Sequence, residues 1–264
     1  MNNGKKPIAS SIILGGIIFV CVMAEAFSPG DPTRMNFNAI LSPPCELYIF
    51  GTDHLGRDVF KMILHGGRVS LFIGLLASSV SAFIAMVYGT LAGLAPKWLD
   101  DLLMRFTELT ISVPSILYIV SIQAILGKPT VFSLSFVIGI TSWMNIAKIV
   151  RAEVRQIHGK EYILSARLMG ARFPYMLRRH LLPNFMPSIL FMLIYNISQA
   201  IASETTLSFL GLGMPPGSAT WGSLINLSQK ALLTNSWWII LIPSLFLITT
   251  LVCMTNIGEY FRRK

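Results

Sequence analysis

Side chains able to do acid-base, nucleophilic or metal chemistry are few in this chain of 264 residues, and their placement speaks against catalysis. An enzyme needs a base, an acid or an activated nucleophile held within hydrogen-bond reach of its target. His54, His65, His158 and His180 all fall outside the apolar segments and lack metal-ligand spacing. Cys21, Cys45 and Cys253 are scattered, so neither a disulfide framework nor a metal site follows from them. No G-x-x-x-x-G-K-[ST] phosphate loop occurs, so any nucleotide chemistry must come from a partner. Glu25, Glu108 and Glu204 lie at the ends of apolar segments, where a carboxylate snorkels or caps, whereas ion-coupled transport needs carboxylates near mid-span. Glu204 is the most informative of them, because it precedes a broken outer element that it could hold closed. Gln123, Asn145, Asn196 and Gln199 sit within apolar spans and either line a path or tie helices together by hydrogen bonds of about 0.6 kcal/mol each. An intramembrane enzyme and a channel are distant alternatives, since neither a catalytic constellation nor a filter motif is present.

The elements that must position these residues are membrane helices. Hydrophobic residues make up 53% of the chain and charged ones 12%, about half the charged share of soluble domains, and the mean hydropathy is +0.65. Segments 8–27, 70–94, 109–126, 131–149, 186–204 and 236–257 approach the roughly 20 apolar residues that a helical span requires. Alternating segments of a transmembrane barrel are absent. The reading is therefore an all-α integral membrane protein of six transmembrane helices. With the N-terminus inside, fifteen of the 21 Lys and Arg fall on the cytoplasmic side and six outside, so both termini are expected in the cytoplasm. The net charge of +9 then answers to anionic membrane lipids rather than to nucleic acid. Lys5, Lys6, the apolar run and Ala24-Glu25-Ala26 also resemble a cleavable signal peptide, although Glu25 and Phe27 suit such a cut poorly.

Along the chain, residues 1–27 form an N-terminal tail and first span, 28–69 an outer loop, and 70–264 a five-helix core. The outer loop ends in Gly51-Thr52-Asp53-His54-Leu55-Gly56-Arg57-Asp58, which leads into an interfacial helix with Val59, Ile63 and Leu64 turned toward lipid or protein. Asp58 there caps the helix or binds a ligand, and capping is the simpler reading. Pro114 is expected to kink the third span, for motion or for packing. The outer segment 205–235 is broken by Gly211, Gly213, Pro215, Pro216 and Gly217, so it reads as a re-entrant element, with Phe209 on its approach. Trp221, Trp237 and Trp238 are expected at the outer interface.

The basic segment 148–184 carries eight Lys and Arg against Glu153 and Glu161. Helix formers flank Gly170 and Pro174, which predicts two cytoplasmic helices joined by a turn, either a mechanical lever or a lipid anchor. Here the chain resembles the permease subunits of bacterial ABC importers, whose loop reads Glu-Ala-Ala, three residues, Gly, nine residues, Ile-x-Leu-Pro. Leu164-Ser165-Ala166, Gly170 and His180-Leu181-Leu182-Pro183 hold that spacing, with Leu164 in place of the glutamate and His180 in place of the isoleucine. Gly51-Thr52-Asp53, Gly56-Arg57-Asp58, Gly67-Arg68-Val69-Ser70-Leu71, and Glu204 with Leu207-Ser208-Phe209-Leu210-Gly211-Leu212-Gly213 and Trp221-Gly222 are similar to the peptide and nickel branch, and to its second permease in particular.

The resemblance implies a type I ABC importer permease fold in a bacterial plasma membrane. It implies a homologous second permease, two ATP-binding subunits that supply ATP and Mg, and an extracytoplasmic substrate-binding protein. The chain itself would hold no cofactor and no metal, and would not be an enzyme. A coupling helix within the cytoplasmic loop 150–184 would dock in the ATPase through Ser165, Ala166, Arg167, Gly170, Ala171, Arg172, Phe173 and Pro174. The cargo would be di- or oligopeptides, or else nickel or a metal chelate.

Overall fold

The computed structural model describes residues 7–158, 182–215, 218–231 and 234–262, and among them the regular structure is helical throughout. In chain order the helices are α1 (Ile8–Val22), α2 (Ala24–Phe27), α3 (Val59–Leu94), α4 (Lys97–Ile111), α5 (Ser115–Leu126), α6 (Val131–Ser142), α7 (Met144–His158), α8 (Leu182–Phe209), α9 (Trp221–Ala231) and α10 (Trp237–Arg262). Among the described residues, α3 and α10 are each long and apolar enough to cross a membrane. The pairs α4 with α5 and α6 with α7 reach that length only if each is taken as one bent span, and α1 is apolar but shorter.

The helix expected to lie in the interface before residue 70 is instead the first turns of α3, which runs unbroken for 36 residues. Val59, Ile63 and Leu64 are turned to protein and fully buried. Asp58 starts the helix, its Oδ1 accepting from Phe60 N–H at 2.9 Å. Burial raises the Asp58 carboxyl above its ordinary range, opposed by the backbone N–H groups of Phe60 and Lys61 and by the charge of Lys61.

Two breaks shape the middle of the fold. Pro114 has no N–H to give the preceding turn, and α4 and α5 meet at an angle of 84°. Trp143 separates α6 from α7, which are bent by 47°. Hydroxyls around the breaks serve neighbouring carbonyls: Thr110 Oγ1 donates to Phe106 O, Ser112 Oγ to Glu108 O, Thr141 Oγ1 to Val137 O and Ser142 Oγ to Ile138 O. Backbone polar groups at membrane depth need such partners.

Packing is organised around α3, which contributes buried residues to each of the hydrophobic clusters. Val59, Met62 and Ile63 pack with Trp221, Leu224 and Trp238; Ile73 and Ala77 with Ile119, Leu134 and Ile138; Ala85 with Trp143, Val150 and Val154. Close approach is made possible by small residues on α3. A Cβ at Gly89 would stand 2.6 Å from Ala147 O, and one at Gly93 would stand 2.8 Å from Val154 Cγ1. Of the three tryptophans expected at the outer interface, Trp237 is exposed, and Trp221 and Trp238 are buried within the protein. Their indole N–H groups donate to Ile63 O and Thr52 O, each at 3.1 Å, so burial leaves no donor unpaired.

Gly89→Val should therefore lower stability by about 1–3 kcal/mol through overpacking of α3 against α7. Gly15→Val, where an added Cβ meets nothing within 4 Å, is the matched control. Thermal midpoints of the detergent-solubilised proteins check this: the first should fall and the second should stay near wild type.

Candidate functional site

Glu204 sits in the last turns of α8 with its side chain fully buried, which a snorkelling carboxylate would not be. Its Oε1 accepts from Ser208 Oγ at 2.7 Å and its Oε2 from Ser70 Oγ on α3 at 3.3 Å. Ser70 Oγ in turn accepts from the Trp221 N–H at the start of α9, at 3.1 Å. One carboxylate thus links the spine helix, the end of α8 and the broken outer segment. Gly222 lets α9 pack directly on α8, since a Cβ there would lie 2.7 Å from both Ser208 Cβ and Thr205 Cα.

The other residues expected beside Glu204 divide. Gly211, at φ +77°, ends α8 in a Schellman arrangement: its N–H donates to Ser208 O at 3.0 Å and the Leu212 N–H to Leu207 O at 2.8 Å. Gly213 folds back on Ser208 so closely that a Cβ would lie 2.5 Å from Ser208 Cα. Phe209 turns its ring outward, 39% exposed, and joins the element through its carbonyl, which accepts from Asn226 Nδ2 at 2.6 Å. Beyond the turn, Thr220 and Ser223 cap α9 reciprocally, Ser223 N–H donating to Thr220 Oγ1 at 3.0 Å and Thr220 N–H to Ser223 Oγ at 2.9 Å. With 11 residues, α9 spans about 16 Å, too short for a bilayer core of about 30 Å.

The outer motif around Asp53 is a structural knot. Asp53 Oδ2 accepts from Arg57 Nε at 2.7 Å while Oδ1 accepts from the Leu55 and Arg57 N–H groups at 2.8 and 2.9 Å. Both side chains are buried, so the pair stands only because each charge is fully matched. Gly56, at φ +71°, passes Asn36 where any Cβ would collide with its carbonyl.

At the opposite end of the helices is a cluster that the sequence reading did not assemble. Asp100 on α4, with no exposed side-chain surface, receives the guanidinium of Arg151 and that of Arg155, the latter at 2.6 Å. It lies in the charged turn that precedes the apolar stretch 109–126. Tyr88 on α3 joins the same region, its hydroxyl donating to Leu103 O at 2.7 Å and its ring lying 4.5 Å from that of Trp143. Asp100 and Arg151 stand 51 positions apart in the chain, so no local pattern joins them and their meeting needs tertiary contacts to be read.

Of the polar residues within the spans, Asn145, Asn196 and Gln199 line one cavity of about 380 Å³ between the two helix breaks and α8. Gln123 does not join them. It lines a separate, mostly apolar hollow of about 700 Å³ on the side of Gly211 and Gly213, its Nε2 donating to Gly127 O at 3.1 Å. The expected coupling residues, Ser165, Ala166, Arg167, Gly170, Ala171, Arg172, Phe173 and Pro174, lie outside the described residues.

Bent apolar helices around a cleft that carries polar side chains suit a component of a membrane transport system. Residues 68–264 match the family described as binding-protein-dependent transport system inner membrane component, and the chain belongs to that family. It is accordingly a multi-pass inner membrane protein of a transport system with several parts. The chain is 33% identical over 260 residues to the oligopeptide transport system permease protein OppC of Bacillus subtilis, covering 98% of this chain and 85% of that protein. It is 32% identical over 259 residues to the dipeptide transport system permease protein DppC of the same organism, covering 98% and 81%. A putative peptide transport system permease protein of Brucella suis is 34% identical over 256 residues, covering 95% and 84%.

Glu204→Leu should strand the Ser70 and Ser208 hydroxyls in a buried site at a cost of about 1–3 kcal/mol each. The expected result is a lower thermal midpoint together with faster proteolysis in the 210–220 turn, with Glu204→Gln showing a smaller effect on both. Equal proteolysis rates in the wild type and the leucine variant would remove the carboxylate from its linking role.

Proposed function

We propose that the chain is one of two permease subunits of an ATP-driven importer of di- or oligopeptides. Similarity over nearly the whole chain to permeases named for dipeptide and oligopeptide transport carries this reading. A homologous second permease would complete the path, two ATP-binding subunits would hydrolyse ATP with Mg, and an extracytoplasmic binding protein would deliver cargo. The relatives, named for dipeptide and oligopeptide transport, favour peptides over nickel or a metal chelate as cargo.

In this reading α1 and α8 join α3, α10 and the two bent pairs to give six spans, with both termini in the cytoplasm. The loop after α7 meets the ATPase, and Gly170 and Ala171 permit the close approach while Phe173 fills an apolar pocket. ATP-driven movement of that loop is passed to α7 and α8, the helices on either side of it. Asp100 would carry the movement of α7 into α4 through Arg151 and Arg155. Glu204 would keep the outer element, α9, closed until α8 shifts.

Deleting the gene from its host should abolish uptake of a radiolabelled tripeptide, and reintroducing it should restore uptake. Loss of labelled nickel uptake with tripeptide uptake intact would sink the peptide reading. Gly170→Trp should leave the protein in the membrane at normal level but reduce tripeptide uptake at least tenfold. Normal uptake in that variant would rule out the docking role.

A further inference from the structure

We propose that the cavity between the two helix breaks is a transit subsite that recognises the peptide bonds of the cargo through side-chain amides, with Asn196 as the principal donor. This rests on the reading of the chain as a peptide permease and adds to it where cargo is held and by what chemistry.

The cavity is bounded by the Pro114 break, the Trp143 break and α8, and its volume of about 380 Å³ falls in the range of small-molecule sites. Its lining is polar yet carries no acidic or basic side chain. Several lining hydroxyls are already committed to their own helices: Thr110 donates to Phe106 O, Thr141 to Val137 O and Ser142 to Ile138 O. The hydroxyls of Ser115, Tyr118, Tyr195 and Ser203 also line it, and beside them the amides of Asn145, Asn196 and Gln199 are the lining groups that offer both donors and an acceptor to a ligand.

Asn196 is 5% exposed, and its Nδ2 has no hydrogen-bond partner. A buried donor left unpaired is costly, and helix-to-helix glue would have paired it. Asparagine χ2 is soft, so a small rotation turns the N–H to the cavity.

The chemistry of the lining selects the class of ligand. A side-chain amide offers one acceptor and two donors, which is the complement of a peptide unit. A neutral lining gives no counter-charge for an ion desolvated at membrane depth, and it lacks the imidazole, thiolate and carboxylate ligands that transition metals require. Contacts to the backbone alone would tolerate any side chain, leaving discrimination among peptides to other parts of the system.

The test uses chromosomal variants in the native host and initial uptake of radiolabelled trialanine below saturation. Asn196→Leu should reduce the rate about tenfold, the worth of one well-placed hydrogen bond to a desolvated group, and Asn196→Gln should recover most of it. An unchanged rate in the leucine variant, with the wild type active, overturns the subsite and leaves the permease reading standing. If instead wild type and deletion strain take up trialanine equally, the permease reading itself fails. Should Asn196→Leu not reach the membrane, Asn145→Cys decides: its labelling by a water-soluble maleimide, above the wild-type background, should slow at least threefold when trialanine is supplied. Labelling that trialanine does not slow overturns the proposal.

Discussion

Close packing along α3 is the constraint on which the remaining structure depends. Within lipid the hydrophobic effect does not draw helices together, so association rests on van der Waals contact and interhelical hydrogen bonds. Gly89 and Gly93 bring α7 to within a side chain's thickness of the α3 backbone, and Gly74 does the same for Ile201 of α8. Because the same helix holds both α7 and α8, the helices on either side of residues 159–181 share one fixed reference.

Each end of this arrangement is closed by a buried acidic residue in a different way. Glu204 accepts from neutral hydroxyls and, through Ser70, holds the Trp221 backbone, whereas Asp100 is matched by two guanidinium groups. The first tie is short and geometric, so it opens only when the three elements move apart. The second has Coulombic reach and tolerates sliding of α4 along α7. Between them the Pro114 and Trp143 breaks open the polar cavity. Irregular backbone at membrane depth persists where it is buried in protein or lines such a space.

Much of this was legible in residue types. Asp58 followed by an apolar run announced a helix start, because an N-cap depends on local geometry alone, whereas Gly211 was legible only as one of the residues that break the outer segment. Pro114 announced a break from local geometry too, although not its size of 84°. The tryptophans at 221 and 238 were legible only as interface residues; that they are buried against Ile63 O and Thr52 O is set by tertiary contacts. The continuity of the helix that Asp58 starts with the span from residue 70 was missed because Lys61, His65 and Arg68 lower the local hydropathy without interrupting the helix.

By itself the sequence determined the membrane class, the apolar segments, the Asp58 cap, the Pro114 break and the motifs of the transport family, since each depends on residues near one another in the chain. Tertiary structure alone decided which polar groups meet, Ser70 with Glu204 and Asp100 with Arg151 and Arg155, and which share a cavity, Asn196 with Asn145 rather than with Gln123. These partners are set by crossing angles and by the absence of a Cβ at a few glycines. No local pattern of residues encodes those distances.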